Sequence, residues 1–135
     1  MHRWFSVLVV AALPWVGQAA ESTADRGPAP SEQHTACMEK AGGVTADMVS
    51  CITAEYERQD KRLNDAYAAA RERVGKGRDA ALRDVQRAWL HFRDLNCDFR
   101  NDPDGGTLAR VEANHCMLSM TAARADELEG IANRP

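Results

Sequence analysis

Large or apolar residues recur at steps of three and four through three long stretches of this 135-residue chain, and that spacing restricts it to helices. The first stretch starts at Thr45 and aligns Met48, Ile52, Tyr56, Gln59, Leu63, Tyr67, Ala70 and Val74 on one face. Thr45 follows Gly42-Gly43 as a candidate N-cap, Asp47 sits in the first turn, and Gly75 and Gly77 end the run. Such a helix is a rod about 45 Å long. On its outer face Glu57 and Lys61 have the four-residue spacing of a helix ion pair. The second stretch begins near Arg78 and aligns Leu82, Val85, Trp89, Phe92 and Leu95, with Phe99 close behind, as the face expected to turn inward. Asn101-Asp102-Pro103-Asp104-Gly105-Gly106 breaks it, because Pro, Gly and Asx residues are the strongest turn formers. The third, from about Thr107 to Asn133, carries Leu108, Val111, His115, Leu118, Ala122, Ala125 and Leu128. Nothing alternates with period two and no segment repeats. The expected class is all-α: a small up-and-down bundle of three main helices plus a short helical turn around His34 to Lys40.

The first residues are of a different kind. His2 and Arg3 precede an apolar run from Trp4 to Val16 and then Gly17-Gln18-Ala19-Ala20, the order of a secretory signal peptide. Cleavage is expected after Ala19, with Ala20 as the alternative. The run falls short of the roughly 20 apolar residues that span a bilayer, and no later segment is more apolar. Residues 20–33 hold Ser, Pro, Gly and charges with little to bury, which predicts a flexible leader, and residues 34–135 are left as one domain. A domain of that size has a thin core, where covalent staples help. No cysteine closes the signal to accept a lipid, so the expectation is a periplasmic or secreted protein without a membrane anchor. The net charge of −3 becomes −4 when Arg3 leaves with the signal. These charges are spread along the helices without the basic stripe that nucleic acid requires. A mild acidic balance suits a basic protein partner instead.

Cys37, Cys51, Cys97 and Cys116 are an even number in a short exported chain, the setting of a disulfide framework. Three pairings are open to them. Cys37 and Cys51 flank the Gly42-Gly43 turn, and Cys97 and Cys116 flank the Pro103 to Gly106 turn, so nearest-neighbour pairing would close one helix corner with each bridge. Each would stabilise the fold by about 3 kcal/mol on the chain-entropy estimate. A zinc site would bring cysteines in pairs two to four residues apart. The gaps here are 14, 46 and 19, and neither Cys-x-x-Cys nor Cys-x-x-Cys-His occurs. No metal and no cofactor are expected.

Chemistry-bearing residues are densest from Gln86 to Cys97, where Gln86, Trp89, Arg93 and Cys97 share one side of the helix. In a bundle this small Trp89 is expected in the core, with Arg93 snorkelling over it. His34, His91 and His115 lack His-x-x-x-His spacing and read as surface or packing residues. Asp94 and Asp98 stand one turn apart, and paired carboxylates are what glycoside hydrolysis uses, but on a charged helix such pairs are ordinary solvated faces. There is no nucleophile elbow and no free cysteine to act as a nucleophile. Gly105-Gly106 ahead of a helix could cradle an anion, though a tight turn explains it more simply.

The order Cys37, Cys51, then Leu63-Asn64 with Tyr67, then Gln86-x-x-Trp89-x-x-x-Arg93-Asp94-x-x-Cys97, then Gly105-Gly106-Thr107, Cys116 and Thr121-x-x-Arg124-x-x-x-Leu128 resembles the LprI family of bacterial lysozyme inhibitors. The likeness runs from about Cys37 to Leu128. It implies a small helical, disulfide-bonded, exported domain without catalytic activity that binds a host or competing lysozyme. Leu63, Asn64, Tyr67, Gln86, Trp89, Arg93, Asp94, Gly105, Gly106 and Arg124 read as scaffold within it. The family's namesake is a lipoprotein, so an inhibitor lacking the lipid acceptor would work while soluble. Animal-type lysozymes are basic and hold two carboxylates in an open cleft, so an acidic rigid bundle could be steered to one and plug it. The Asn101 to Thr107 loop is the candidate plug, with Asp102 and Asp104 toward the basic rim, because bracing by a Cys97–Cys116 bridge lowers the cost of ordering it. The alternatives are a periplasmic scaffold or stress-related interaction module with no lysozyme target, and, last, an envelope hydrolase.

Overall fold

The computed structural model describes residues 29–135, and the signal peptide and most of the leader read from the sequence lie outside them. Four helices follow one another: α1 Glu32–Ala41, α2 Thr45–Val74, α3 Lys76–Phe99 and α4 Gly106–Ala132. No strand is present among the described residues. Both disulfides have the pairing expected from the glycine turns, Cys37–Cys51 and Cys97–Cys116, with Cα atoms 5.7 and 5.4 Å apart.

The expected turn at His34 is a ten-residue helix that begins at Glu32. Its N-cap is Ser31, whose Oγ accepts from the His34 N–H at 3.1 Å and whose hydroxyl donates to Glu55 Oε2 at 2.6 Å. One side chain therefore caps α1 and pins it to α2. Glu55, which periodicity placed off the inward face, is 2% exposed. A carboxylate so placed is tolerable because it is saturated with donors. Besides Ser31, Gln59 Nε2 donates to its Oε1 at 2.9 Å and Arg58 donates from Nε and Nη2 to its Oε2 at 2.9 and 2.5 Å. Burial pushes the Glu55 carboxyl up, but the hydrogen bonds from Ser31, Gln59 and Arg58, with the Arg58 charge, outweigh it and hold the pKa at about 2.

A depressed folded-state pKa stabilises the fold fully above the unfolded value, here 4.5, and that contribution is lost as pH falls toward 2. Glu129 and Asp79, held low by hydrogen bonds from Arg62 and Arg71, lose their pairs on the same acid limb. The Glu55 share is therefore read as a difference. In acid denaturation followed by circular dichroism, wild type is expected to lose stability more steeply than Glu55→Gln between pH 4.5 and pH 2; superimposable limbs would contradict the lock.

Val44, not Thr45, is the N-cap of α2 and supplies no side-chain bond, so Thr45 is the first helical residue. At the far end a single residue, Gly75 at φ 68°, is both the last cap of α2 and the first of α3. That left-handed conformation favours glycine. Gly77, read as a second stop, lies inside α3. The corner is tied by an Arg71–Asp79 ion pair at 2.5 Å. Lys61 pairs with Asp65 at 2.6 Å rather than with Glu57.

The core joins Leu63, Ala66 and Ala70 of α2 to Leu82 of α3 and to Ala125 and Leu128 of α4, with Tyr67, Val74, Trp89 and Ile131 packed around them. Alanines on both sides of the α2–α4 seam let those helices approach closely, and theirs is the most extensive contact in the bundle. Arg62 clamps the same pair, donating to Glu129 Oε1 and Oε2 at 2.7 and 2.6 Å and to Asp126.

α3 is turned differently from the expectation. Its buried residues are Leu82, Gln86, Arg93 and Cys97, while Val85, Phe92, Leu95 and Phe99 are 53%, 58%, 58% and 86% exposed. The reason lies in partners that a helical wheel does not contain. Gln86 Oε1 accepts from Arg124 Nε of α4 at 3.0 Å, and Arg93 Nη1 donates to Thr121 Oγ1 of α4 at 3.2 Å. Turning the aromatic face inward would strand these groups, and the two guanidinium groups meet their partners only in the observed rotation. On α4, likewise, Leu108 and His115 of the expected stripe are exposed, and Ala109, Cys116, Thr121 and Arg124 take inward positions beside Leu118, Ala122, Ala125 and Leu128.

Candidate partner-binding surface

Trp89 is the hub of the α3–α4 contact. It is half-buried, with the Arg93 guanidinium carbon 5.3 Å and the Arg124 carbon 5.8 Å from its ring, inside the range of cation–π attraction. Arg93 does not snorkel to solvent as expected; it is 6% exposed. Each guanidinium also meets a carboxylate that stays largely in water: Arg93 meets Asp94 at 2.8 Å, and Arg124 meets Glu127 at 2.6 Å. Arg124 Nη2 is buried and has no hydrogen-bond partner among the described residues, which leaves the indole face as its compensation. Gln86, Trp89, Arg93 and Arg124 are thus brought together as a polar joint. Leu63 is in the apolar core, Tyr67 packs against that core beneath Arg71 at 5.7 Å, and Asn64 is exposed and donates to Asp60 at 3.1 Å.

The joint and the second disulfide fix the corner where α3 ends. Arg100 and Asn101 close the helix through N–H bonds to the carbonyls of Cys97 and Asp98 at 3.2 and 2.9 Å. Asp102 Oδ1 then accepts from the Asp104 N–H at 2.9 Å, and the Asp102 carbonyl accepts from the Gly105 N–H at 3.0 Å. Asp102 therefore shapes the turn it was expected to decorate. Gly105 is held by close approach, since a Cβ there would lie 2.8 Å from the Ala109 Cβ, and Gly106 opens α4 at φ 66°. Asp102 and Asp104 are exposed, and among the described residues neither forms an ion pair.

Beside this loop an open groove of about 490 Å³ runs between His91, Asp94 and Asp98 of α3 and Ala113, Asn114 and Met117 of α4. Leu95 forms part of its wall, and the exposed apolar residues of α3 continue from there along the helix. Asp94 and Asp98, one turn apart, border this groove, and Asp94 is already engaged by Arg93. A second cavity of about 410 Å³ lies between α1, α2 and α4 beside His34, Glu55 and His115. The Glu55 carboxylate in it is occupied by the four hydrogen bonds it accepts, so it serves as a lock between helices. Among the described residues no group of three His, Cys, Asp or Glu is arranged to hold a metal ion, and no helix is long and apolar enough to cross a membrane.

These features define a small, disulfide-braced helical-bundle protein whose motif residues join helices and whose loop and α3 face are left outward. The chain belongs to the LprI family: the family model described as "Lysozyme inhibitor LprI" matches residues 37–128. An uncharacterised protein of Rhizobium meliloti (strain 1021) is 32% identical over 82 residues, a match that covers 58% of this chain and 53% of that protein. The chain thus spans about half the length of that relative. No solved structure matches it.

Proposed function

We propose that this protein is an exported, non-catalytic inhibitor that binds a lysozyme through the corner between α3 and α4. Membership of a lysozyme-inhibitor family carries the reading. The rest of the molecule is compatible with it. Two disulfides suit an oxidising compartment outside the cytoplasm, in keeping with the signal peptide and leader read ahead of the domain at residue 34. The net charge of −3, which becomes −4 once the signal is removed, favours encounter with a basic protein. The loop that offers Asp102 and Asp104 is anchored on one side by the Cys97–Cys116 bridge and on the other by its own Asx turn, so little ordering is left for binding to impose.

The test is inhibition of lysozyme acting on bacterial cell walls, comparing wild type with the pair Asp102→Asn and Asp104→Lys. Asparagine at position 102 keeps the turn acceptor and removes the charge. The pair is expected to weaken inhibition by roughly three- to tenfold, more at low salt than at high, as for rim charges. Unchanged inhibition at low salt would remove the loop from the contact.

A further inference from the structure

The exposed apolar residues of α3 fall at positions 85, 88, 92, 95 and 99, alternating steps of three and four that make one straight ridge of Val85, Ala88, Phe92, Leu95 and Phe99. Leu108, at the start of α4, is also 60% exposed. A contiguous apolar ridge on a small protein marks an interaction surface more often than chance exposure. Among the described residues nothing covers it, because the Gln86, Trp89 and Arg93 joint turns the opposite side of α3 inward.

The charges beside the ridge decide what fits it. A second copy fits poorly. If two α3 helices paired antiparallel with Phe92 packed on the copy's Ala88, the flank positions 84, 91 and 98 would meet across the seam, setting Asp84 beside the copy's Asp98 and His91 beside its own equivalent. If they paired parallel, Asp98, Asp102 and Asp104 would each stand beside their own copies. Both arrangements bring like charges together. From His91 to Thr107 the exposed acids Asp98, Asp102 and Asp104 outnumber the one exposed arginine, Arg100, while Arg93 is buried against Asp94. The half of the ridge that holds Phe92, Leu95 and Phe99 is therefore apolar with an acidic border, the complement of an apolar surface rimmed by cations.

We propose that this ridge is the main docking surface for the basic lysozyme, with Phe92, Leu95 and Phe99 as its anchors and the acidic loop as its steering rim. This rests on the inhibitor reading above and supplies what that reading lacks, a desolvated centre for the contact. Aromatic and large apolar anchors at the middle of an interface carry most of its affinity, and charges at the rim mainly guide approach.

The experiment compares wild type with Phe92→Ser/Leu95→Ser, both with disulfides formed, in lysozyme inhibition, in thermal melting and in analytical ultracentrifugation. Both side chains are exposed, so the melting temperature of the variant is expected to match wild type within a few degrees, while inhibition weakens by at least about tenfold. A variant that inhibits as well as wild type overturns the ridge and leaves the inhibitor reading standing. Absence of inhibition by wild type overturns both. A wild type that sediments as a dimer, dispersed by the substitutions, assigns the ridge to a second copy and overturns the proposed occupant.

Discussion

Replacing Trp89 with alanine is expected to lower stability by about 3 kcal/mol, toward the lower end for a large aromatic because the ring is half-buried. For a domain of this size that is a fall in Tm of roughly 15 °C. The loss exceeds that of a simple cavity. Trp89 is the face on which Arg93 and Arg124 rest, at 5.3 and 5.8 Å, and Arg124 Nη2 has no other buried partner. Without the ring, two buried guanidinium groups must be hydrated or expelled, and α3 loses the joint that sets its rotation. Trp89→Phe keeps a π face and much of the volume and is expected to recover more than half of the stability. Thermal melts of the two variants check this; a Trp89→Ala protein within 1 kcal/mol of wild type would mean that the apolar core alone positions α3.

The two disulfides make a second pair of expectations. Their loops are of similar length, with separations of 14 and 19 residues, so removing either bridge by paired cysteine-to-alanine substitution is expected to cost about 3 kcal/mol. Their functional consequences should part company. Cys97–Cys116 joins the end of α3 to α4 beside the Asp102 turn, whereas Cys37–Cys51 ties α1 to the start of α2 and includes no residue of α3 or of the loop. At a temperature where both variants remain folded, loss of Cys97–Cys116 is expected to weaken lysozyme inhibition and loss of Cys37–Cys51 to leave it near wild type. Equal effects on inhibition would deny the corner any special role.

The boundaries of the long helices were legible in the sequence because glycine and proline punctuate three periodic runs, and the cysteine pairing followed from where those turns fall. The rotation of α3 was not. Two apolar sets overlap on that helix, one containing Leu82 and Trp89 and the other Val85, Phe92, Leu95 and Phe99, and periodicity merges them into one stripe. The choice between them is made by Gln86 and Arg93, whose partners Arg124 and Thr121 lie 38 and 28 residues away. Glu55 was missed for a related reason: as a lone charge it reads as solvated, and its burial depends on Ser31, 24 residues earlier, as well as on its near neighbours Arg58 and Gln59. The i+3 and i+4 spacing of those neighbours was the one local hint. Asp102 and Asp104 stand exposed, as read, but the apolar ridge beside them came to light only when α3 turned its polar residues inward.

The most direct test of the account is titration of the purified protein, with both disulfides intact, against lysozyme acting on bacterial cell walls, beside the same protein after reduction. Saturable inhibition by the oxidised form that is lost or much weakened on reduction is the predicted result. No inhibition by the oxidised form at large molar excess would contradict the proposed function.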